Sequence, residues 1–151
     1  MKIYIASDHG GYYLKEELKN YLSSKGYSVT DMGNSKFDKN DDYTDFIFPL
    51  SEKVAKDKDS MGIVLGRSGN GEAIAANKVK GIRAALCLSE RHAKKARDNN
   101  NANTLCLGAD FISPTTAKKI VDTFIKTRFS RAKRHNRRVS KIKKYESAHF
   151  K

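Results

Sequence analysis

Within Met61–Lys78, MGIVLGRSGNGEAIAANK, the hydroxyl of Ser68 and the carboxylate of Glu72 lie four residues apart among Gly66, Gly69 and Gly71. Met61–Leu65 is an apolar run of the kind that makes a buried strand, and Glu72–Lys78 resumes at helical spacing. A strand, a glycine turn and a helix start gather backbone N–H groups in one concavity, with the helix's positive end behind them. Such a nest stabilises negative charge, either a bound phosphate or an oxyanion formed during reaction. The Glu72 carboxylate would repel a phosphate there. The residues therefore read as a base, Glu72, beside an anion hole made by Ser68 and the amides of Gly69, Asn70 and Gly71.

Three familiar glycine loops are excluded. The G-x-x-x-x-G-K-[ST] phosphate loop is absent, and Gly69 and Gly71 are not followed by glycine at Ile74, so the dinucleotide fingerprint fails. Gly66-Arg67-Ser68-Gly69-Asn70 ends in asparagine where a nucleophile elbow needs glycine. Taken alone, the three glycines are equally consistent with a plain tight turn.

The elements that must position this loop alternate along the chain. Lys2–Ala6 reads as a strand, Ser7–Gly11 (SDHGG) as a polar turn, and Tyr13–Lys25 as a helix striped by Leu14, Leu18 and Leu22. Tyr27–Met32 is a second strand. Tyr43–Lys56 is a helix whose Pro49 should kink it or delay its start. Ile82–Leu88 is a strand, Ser89–Asn99 a helix capped by Ser89, and Thr104–Leu107 a strand. Ser113–Thr127 is a helix with Ser113 as cap and Pro114 in its first turn, and about 130–145 is a final basic helix. This alternation predicts one α/β domain over residues 1–151, a parallel sheet covered on both faces, with ligands beyond the carboxyl ends of the strands.

Composition narrows the classes. No run approaches the ~20 apolar residues of a membrane span. No signal region is expected, since Lys2 enters a strand pattern at once. Cys87 and Cys106 lie in apolar runs, as reduced thiols of a cytoplasmic protein would. The net charge is +13, and Lys126–Lys151 carries eleven Lys and Arg against Glu146 alone, a local charge of +10. Such a segment binds an anion or is simply solvated. A nucleic-acid-binding module is the reading from a different class, although the segment has few aromatics and no recognition motif.

Taken together, Ser7-Asp8-His9-Gly10-Gly11, Asp41-Asp42-Tyr43, Gly66–Lys78 (GRSGNGEAIAANK) and Arg134-His135-Asn136-Arg137-Arg138 resemble the type B ribose-5-phosphate isomerases. That wider family includes galactose-6-phosphate isomerase subunits, and the likeness spans Lys2 to about Tyr145. It implies a Rossmann-like three-layer α/β/α sandwich with a five-stranded parallel sheet and a C-terminal basic helix. It also implies a homodimer or tetramer with active sites across the subunit interface, and the C-terminal helix exchanged onto or packed against the partner. No cofactor and no metal would be needed.

The implied reaction interconverts ribose 5-phosphate and ribulose 5-phosphate through a cis-enediol, with Glu72 as base and Ser68–Gly71 holding the developing charge. This is the branch with a glutamate base; other members carry a cysteine at the position of Gly66. By the same resemblance Asp8 contacts the sugar hydroxyls, His9 stands near the phosphate or the rest of the substrate, Tyr43 packs on the sugar and Asn100 holds a sugar oxygen. Arg134 and Arg138, spaced i, i+4 on one helix face, bind the phosphate with help from His135. Two positions depart from the family's pattern. Asn99 stands where a ring-opening histidine is usual, with His92 two turns earlier on the same helix. Asp110 stands near where a phosphate-binding arginine from the neighbouring subunit is usual. These departures motivate a second reading, an isomerase of a six-carbon sugar phosphate such as galactose 6-phosphate or allose 6-phosphate.

Overall fold

The computed structural model describes residues 1–151. Five strands, β1 (Lys2–Ser7), β2 (Ser28–Asp31), β3 (Ser60–Gly66), β4 (Ala84–Leu86) and β5 (Thr104–Gly108), form one parallel sheet in the order β2-β1-β3-β5-β4. Alternation along the strands serves two cores. Ile3, Ile5, Ile63, Leu65, Leu105 and Leu107 point to one face, while Tyr4, Ala6, Val64 and Cys106 point to the other. Helices α1 (Tyr12–Ser24), α4 (Glu90–Asn100) and α5 (Pro114–Lys126) cover the first face, and α2 (Thr44–Lys56) and α3 (Asn70–Ala76) cover the second. The result is the expected three-layer sandwich.

Several local expectations hold for the expected reason. Ser89 and Ser113 accept from the amides of His92 and Thr116 at 3.1 Å each, capping α4 and α5. Leu14, Leu18 and Leu22 are buried against the sheet. The helix α2 is continuous across Pro49, which is exposed, so the Asp45 carbonyl that loses its donor faces water. The strand expected over Ile82–Leu88 is only Ala84–Leu86. At its start Asn103 Oδ1 takes the Arg83 amide from the ladder; past its end Cys87 still donates to the Cys106 carbonyl at 3.1 Å and His92 Nδ1 takes the Leu88 amide. Asn77 pins this edge strand, donating to the Ala84 carbonyl at 3.0 Å and accepting from its amide at 2.8 Å.

The final helix, α6, runs Lys133–His149 rather than 130–145. Arg131 sits in the left-handed region at φ 57° and the Ser130 amide bonds the Asp98 carbonyl, which together delay the helix start. Its buried face is His135, Val139 and Glu146, packed on its own chain.

One buried charge needs its partners. Lys15 is 0% exposed and its ammonium reaches Asp31 at 2.6 Å and Glu16 at 2.8 Å, with Lys19 on the same two carboxylates. This cluster ties α1 to the end of β2. Hydrogen bonds from Lys15 and Lys19 hold the Glu16 carboxyl below its usual range. Burial pushes the Asp31 carboxyl up, but the same two ammonium groups outweigh it and the net direction is down.

Candidate active site

The register sets the site. Ser7 lies beside Leu65, and Gly66 beside Gly108, so the loops after β1, β3 and β5 leave the sheet at one level. The chain turns toward α1 after β1 and toward α3 after β3, on opposite faces. Neighbouring connections that diverge in this way open a crevice at the carboxyl ends of the strands.

Glu72 is the third residue of α3 and is 4% exposed, although it belongs to a seven-residue helix at the molecular edge. Its carboxylate has taken the space beside Gly66. A Cβ built on Gly66 would lie 1.8 Å from Oε1, 2.3 Å from Cδ and 2.7 Å from Oε2. The lack of a side chain at 66 is thus what lets this acid fold back over the strand end. It also gives a steric reason why a side chain at 66 and a glutamate at 72 exclude each other. No other side chain hydrogen-bonds the carboxylate. Burial raises its pKa and nearby Asp8 raises it further, against a lowering by its own backbone amide.

The turn itself is built for close approach. Gly69 has φ 80° and sits against Leu86 and the Leu107 backbone, where a Cβ would clash at 2.6–3.1 Å. Ser68 Oγ accepts from the Asn70 amide at 3.2 Å. The amides of Gly69 and Gly71 have no partner within the chain and remain as donors. Tyr43 packs its ring end on Gly71, so a residue 28 positions away in sequence walls the same loop.

The loop after β1 forms the opposite wall. Asp8 caps the 3-10 turn His9–Gly11 by accepting from the Gly10 amide at 2.9 Å. Burial and Asp41 push the Asp8 carboxyl up, His9 and backbone amides pull it down, and the net direction is up. His9 Nδ1 meets Asp41 Oδ1 at 2.7 Å. That hydrogen bond raises the imidazole's pKa, Asp8 adds to it, and burial and Arg67 oppose it. Arg67 lies across the Gly10 backbone and pairs with Asp110 at 3.2 Å, so the acid at 110 engages an arginine of its own chain.

One chain brings together Asp8, His9, Tyr43, Ser68, Gly69, Asn70, Gly71 and Glu72. It does not bring Asn99, Asn100, Arg134, His135 or Arg138 to them. Asn99 and Asn100 end α4, eleven residues below Ser89 and so about 16 Å from the carboxyl edge of the sheet. Asn100 lies instead beside Ile142 and Tyr145 of α6. The segment leading into α6 is tied to that same end, since the Ser130 amide donates to the Asp98 carbonyl and Arg97 to that of Thr127. Arg134 and Arg138 are exposed there on one face. His135, expected to help hold a phosphate, is buried with Nδ1 at 2.7 Å from Ser130 Oγ. His92 binds the Leu88 amide and stays an α4 surface residue. Asp41 joins the site through His9, a partnership that nothing in spacing alone announces.

A buried carboxylate without a bonding partner, beside free amides at the edge of a parallel sheet, is equipment for moving a proton next to a carbonyl. That is the work of an aldose–ketose isomerase. The model of the family described as Ribose/Galactose Isomerase matches residues 3–142, and the chain belongs to that family. It is 47% identical over 145 residues to a probable ribose-5-phosphate isomerase B of Mycoplasma genitalium, covering 95% of each chain. It is 42% identical over 149 residues to the ribose-5-phosphate isomerase B of Mycobacterium tuberculosis, covering 99% of this chain and 92% of the relative. The crystal structure of the Mycoplasma genitalium enzyme with bound ribulose-5-phosphate superposes with a TM-score of 0.93 at 46% identity, over 97% of this chain and 96% of that one.

Proposed function

We propose that Glu72 is the base with which this enzyme interconverts ribose 5-phosphate and ribulose 5-phosphate. With the sugar open, the C2 proton moves to a Glu72 oxygen and the C1 carbonyl oxygen takes up the negative charge. The Ser68 hydroxyl and the free amides of Gly69 and Gly71 hold that charge, with the Asn70 amide fixing Ser68 Oγ beside them. Glu72 then returns its proton to C1, while the O2 proton passes to O1 and leaves a ketone at C2. The observation that carries this reading is the Glu72 carboxylate, buried against Gly66 and bonded by no other side chain. Its raised pKa makes it a stronger base than an exposed glutamate. Tyr43 and Asp8 line the sugar, and His9 stands at its phosphate end. Purified protein should form ribulose 5-phosphate from ribose 5-phosphate, and Glu72→Gln should slow turnover about 10²–10⁴-fold. Turnover unaffected by that substitution refutes the assignment of the base.

The remaining half of the site comes from a second copy of the chain, which supplies Arg134 and Arg138 to the phosphate and Asn99 and Asn100 to the sugar. What supports this is that both groups lie at the end of the sheet away from Glu72, while a dianionic substrate needs fixed positive charge. Mixing denatured Glu72→Gln protein with an Arg134→Ala/Arg138→Ala variant and refolding them together tests it. Hybrid dimers would carry one intact site in two, restoring about a quarter of wild-type activity. No recovery refutes the shared site. No helix is long and apolar enough to cross a membrane. The two cysteines are free and buried, which supports a cytoplasmic setting.

A further inference from the structure

We propose that Asp41 is a positioning residue for this reaction: its carboxylate fixes His9 with a proton on Nδ1, leaving Nε2–H as a charged donor to the substrate's phosphate. The inference rests on the placement of His9 at the phosphate end given above. It starts from how completely Asp41 is used. Oδ1 accepts from the His9 backbone amide at 2.9 Å and meets His9 Nδ1 at 2.7 Å, and Oδ2 accepts from Asn34 Nδ2 at 2.6 Å. Asn34 is itself held, its amide donating to the Ser7 carbonyl at 2.8 Å and its Oδ1 lying 3.5 Å from Ser7 Oγ. The Asn34 and Asp41 chain therefore starts at β1, crosses a polar loop and returns to His9, two residues after β1.

The backbone bond alone would staple the loop. The second bond to the same oxygen does something a staple does not need. It fixes the plane of the imidazole and its tautomer, because a carboxylate oxygen can only accept, so Nδ1 must carry the hydrogen. Phe37 stands edge-on to the ring, 6.3 Å between centroids, and limits its rotation. Nε2 has no partner in the chain.

The charged groups facing the ring are Asp41, Asp8 at 3.9 Å from Nδ1, and Arg67, whose Nε is engaged by Asp110. Two acids thus face one paired arginine, and the balance favours imidazolium. The phosphate must approach a crevice that already holds Asp8, Asp41 and Glu72. A cationic Nε2–H is the donor on that wall which can offset them.

The test uses the full-length protein. Long-range ¹H–¹⁵N NMR should show neutral His9 with its hydrogen on Nδ1, and titration above the ordinary histidine value of about 6.5. Asp41→Asn should lower that titration and raise KM for ribose 5-phosphate about tenfold at neutral pH while kcat moves far less. Asp41→Glu should recover part of both effects. Since His9 must be charged to help, kcat/KM should fall as pH rises through its pKa, and this limb should move to lower pH in Asp41→Asn. A neutral His9 protonated on Nε2 in the wild type overturns the proposal, and decides it even if Asp41→Asn does not fold. An unmoved His9 titration in Asp41→Asn also overturns it. An unchanged KM in His9→Gln overturns it by a different route, by removing His9 from the phosphate and so refuting the site reading beneath it.

Discussion

Replacing Gly66 by alanine should disable the enzyme while barely disturbing its fold. The residue ends a strand buried along its whole length, and its φ lies outside the left-handed region, so the backbone accepts alanine without strain. The new methyl would meet Glu72 Oε1 at 1.8 Å, whereas real Cβ contacts essentially never fall below 3.0 Å. The carboxylate must therefore move by at least 1.2 Å, the difference between those two distances. It can do so cheaply. The atoms in the way are the far end of a flexible side chain, and no other side chain bonds them, so the cost in stability should be about 1 kcal/mol. The catalytic cost is larger, because a misplacement of about 1 Å at a reacting group lowers turnover about 10²-fold. Assayed with ribose 5-phosphate, Gly66→Ala should lose about 10²–10³ in kcat, with KM nearly unchanged and Tm lower by about 2–4 °C. Because the loss acts through Glu72, the double variant with Glu72→Gln should be no slower than Glu72→Gln alone. A Gly66→Ala enzyme within about threefold of wild-type kcat, or losses that multiply in the double variant, would refute the steric argument.

Three further outcomes follow from the same structure. The acid limb of kcat/KM should lie above the usual glutamate value of 4.5, because Glu72 must be ionised to act and burial raises its pKa; activity is lost as pH falls through it, and Glu72→Asp should shift that limb. Asp31→Asn should destabilise the fold by about 2 kcal/mol in urea titrations, since Lys15 keeps only Glu16 as a neutralising partner in full burial. Asp31 and Glu16 have lowered pKa values, so their contribution is present above the usual carboxylate range and should vanish as pH falls through the lowered values. Neither cysteine should react with iodoacetamide at pH 8 in native protein, as burial pushes the Cys87 thiol up to about 12 and Cys106 well above its usual value; both should label on unfolding.

The sequence alone determined the order and type of the five strands and six α-helices, because strand and helix periods are local properties of which residues repeat. Ser89, Ser113 and Pro114 announced helix starts for the same reason, since a cap is satisfied within one turn. The Gly66–Lys78 loop was legible as a strand end, a glycine turn and a helix start, since its parts lie within a few residues of one another. Where reading failed, a neighbour distant in sequence had decided. The strand expected from 82 began late because Asn103 took the Arg83 amide, and the last helix began late because Asp98 took Ser130.

Only the tertiary structure decided which side chains share a space. It put Asp41 on His9, Tyr43 on Gly71 and Asp110 on Arg67, pairs that no periodicity connects. It also separated what the sequence listed together, setting Arg134 and Arg138 at the opposite end of the sheet from Glu72. A parallel sheet returns each helix to the far edge before the next strand begins, so residues close in a motif list can stand a full helix length apart. The emptiness beside Gly66 belongs to the same class of fact. A missing side chain is visible in the sequence, but what occupies its place is set by packing.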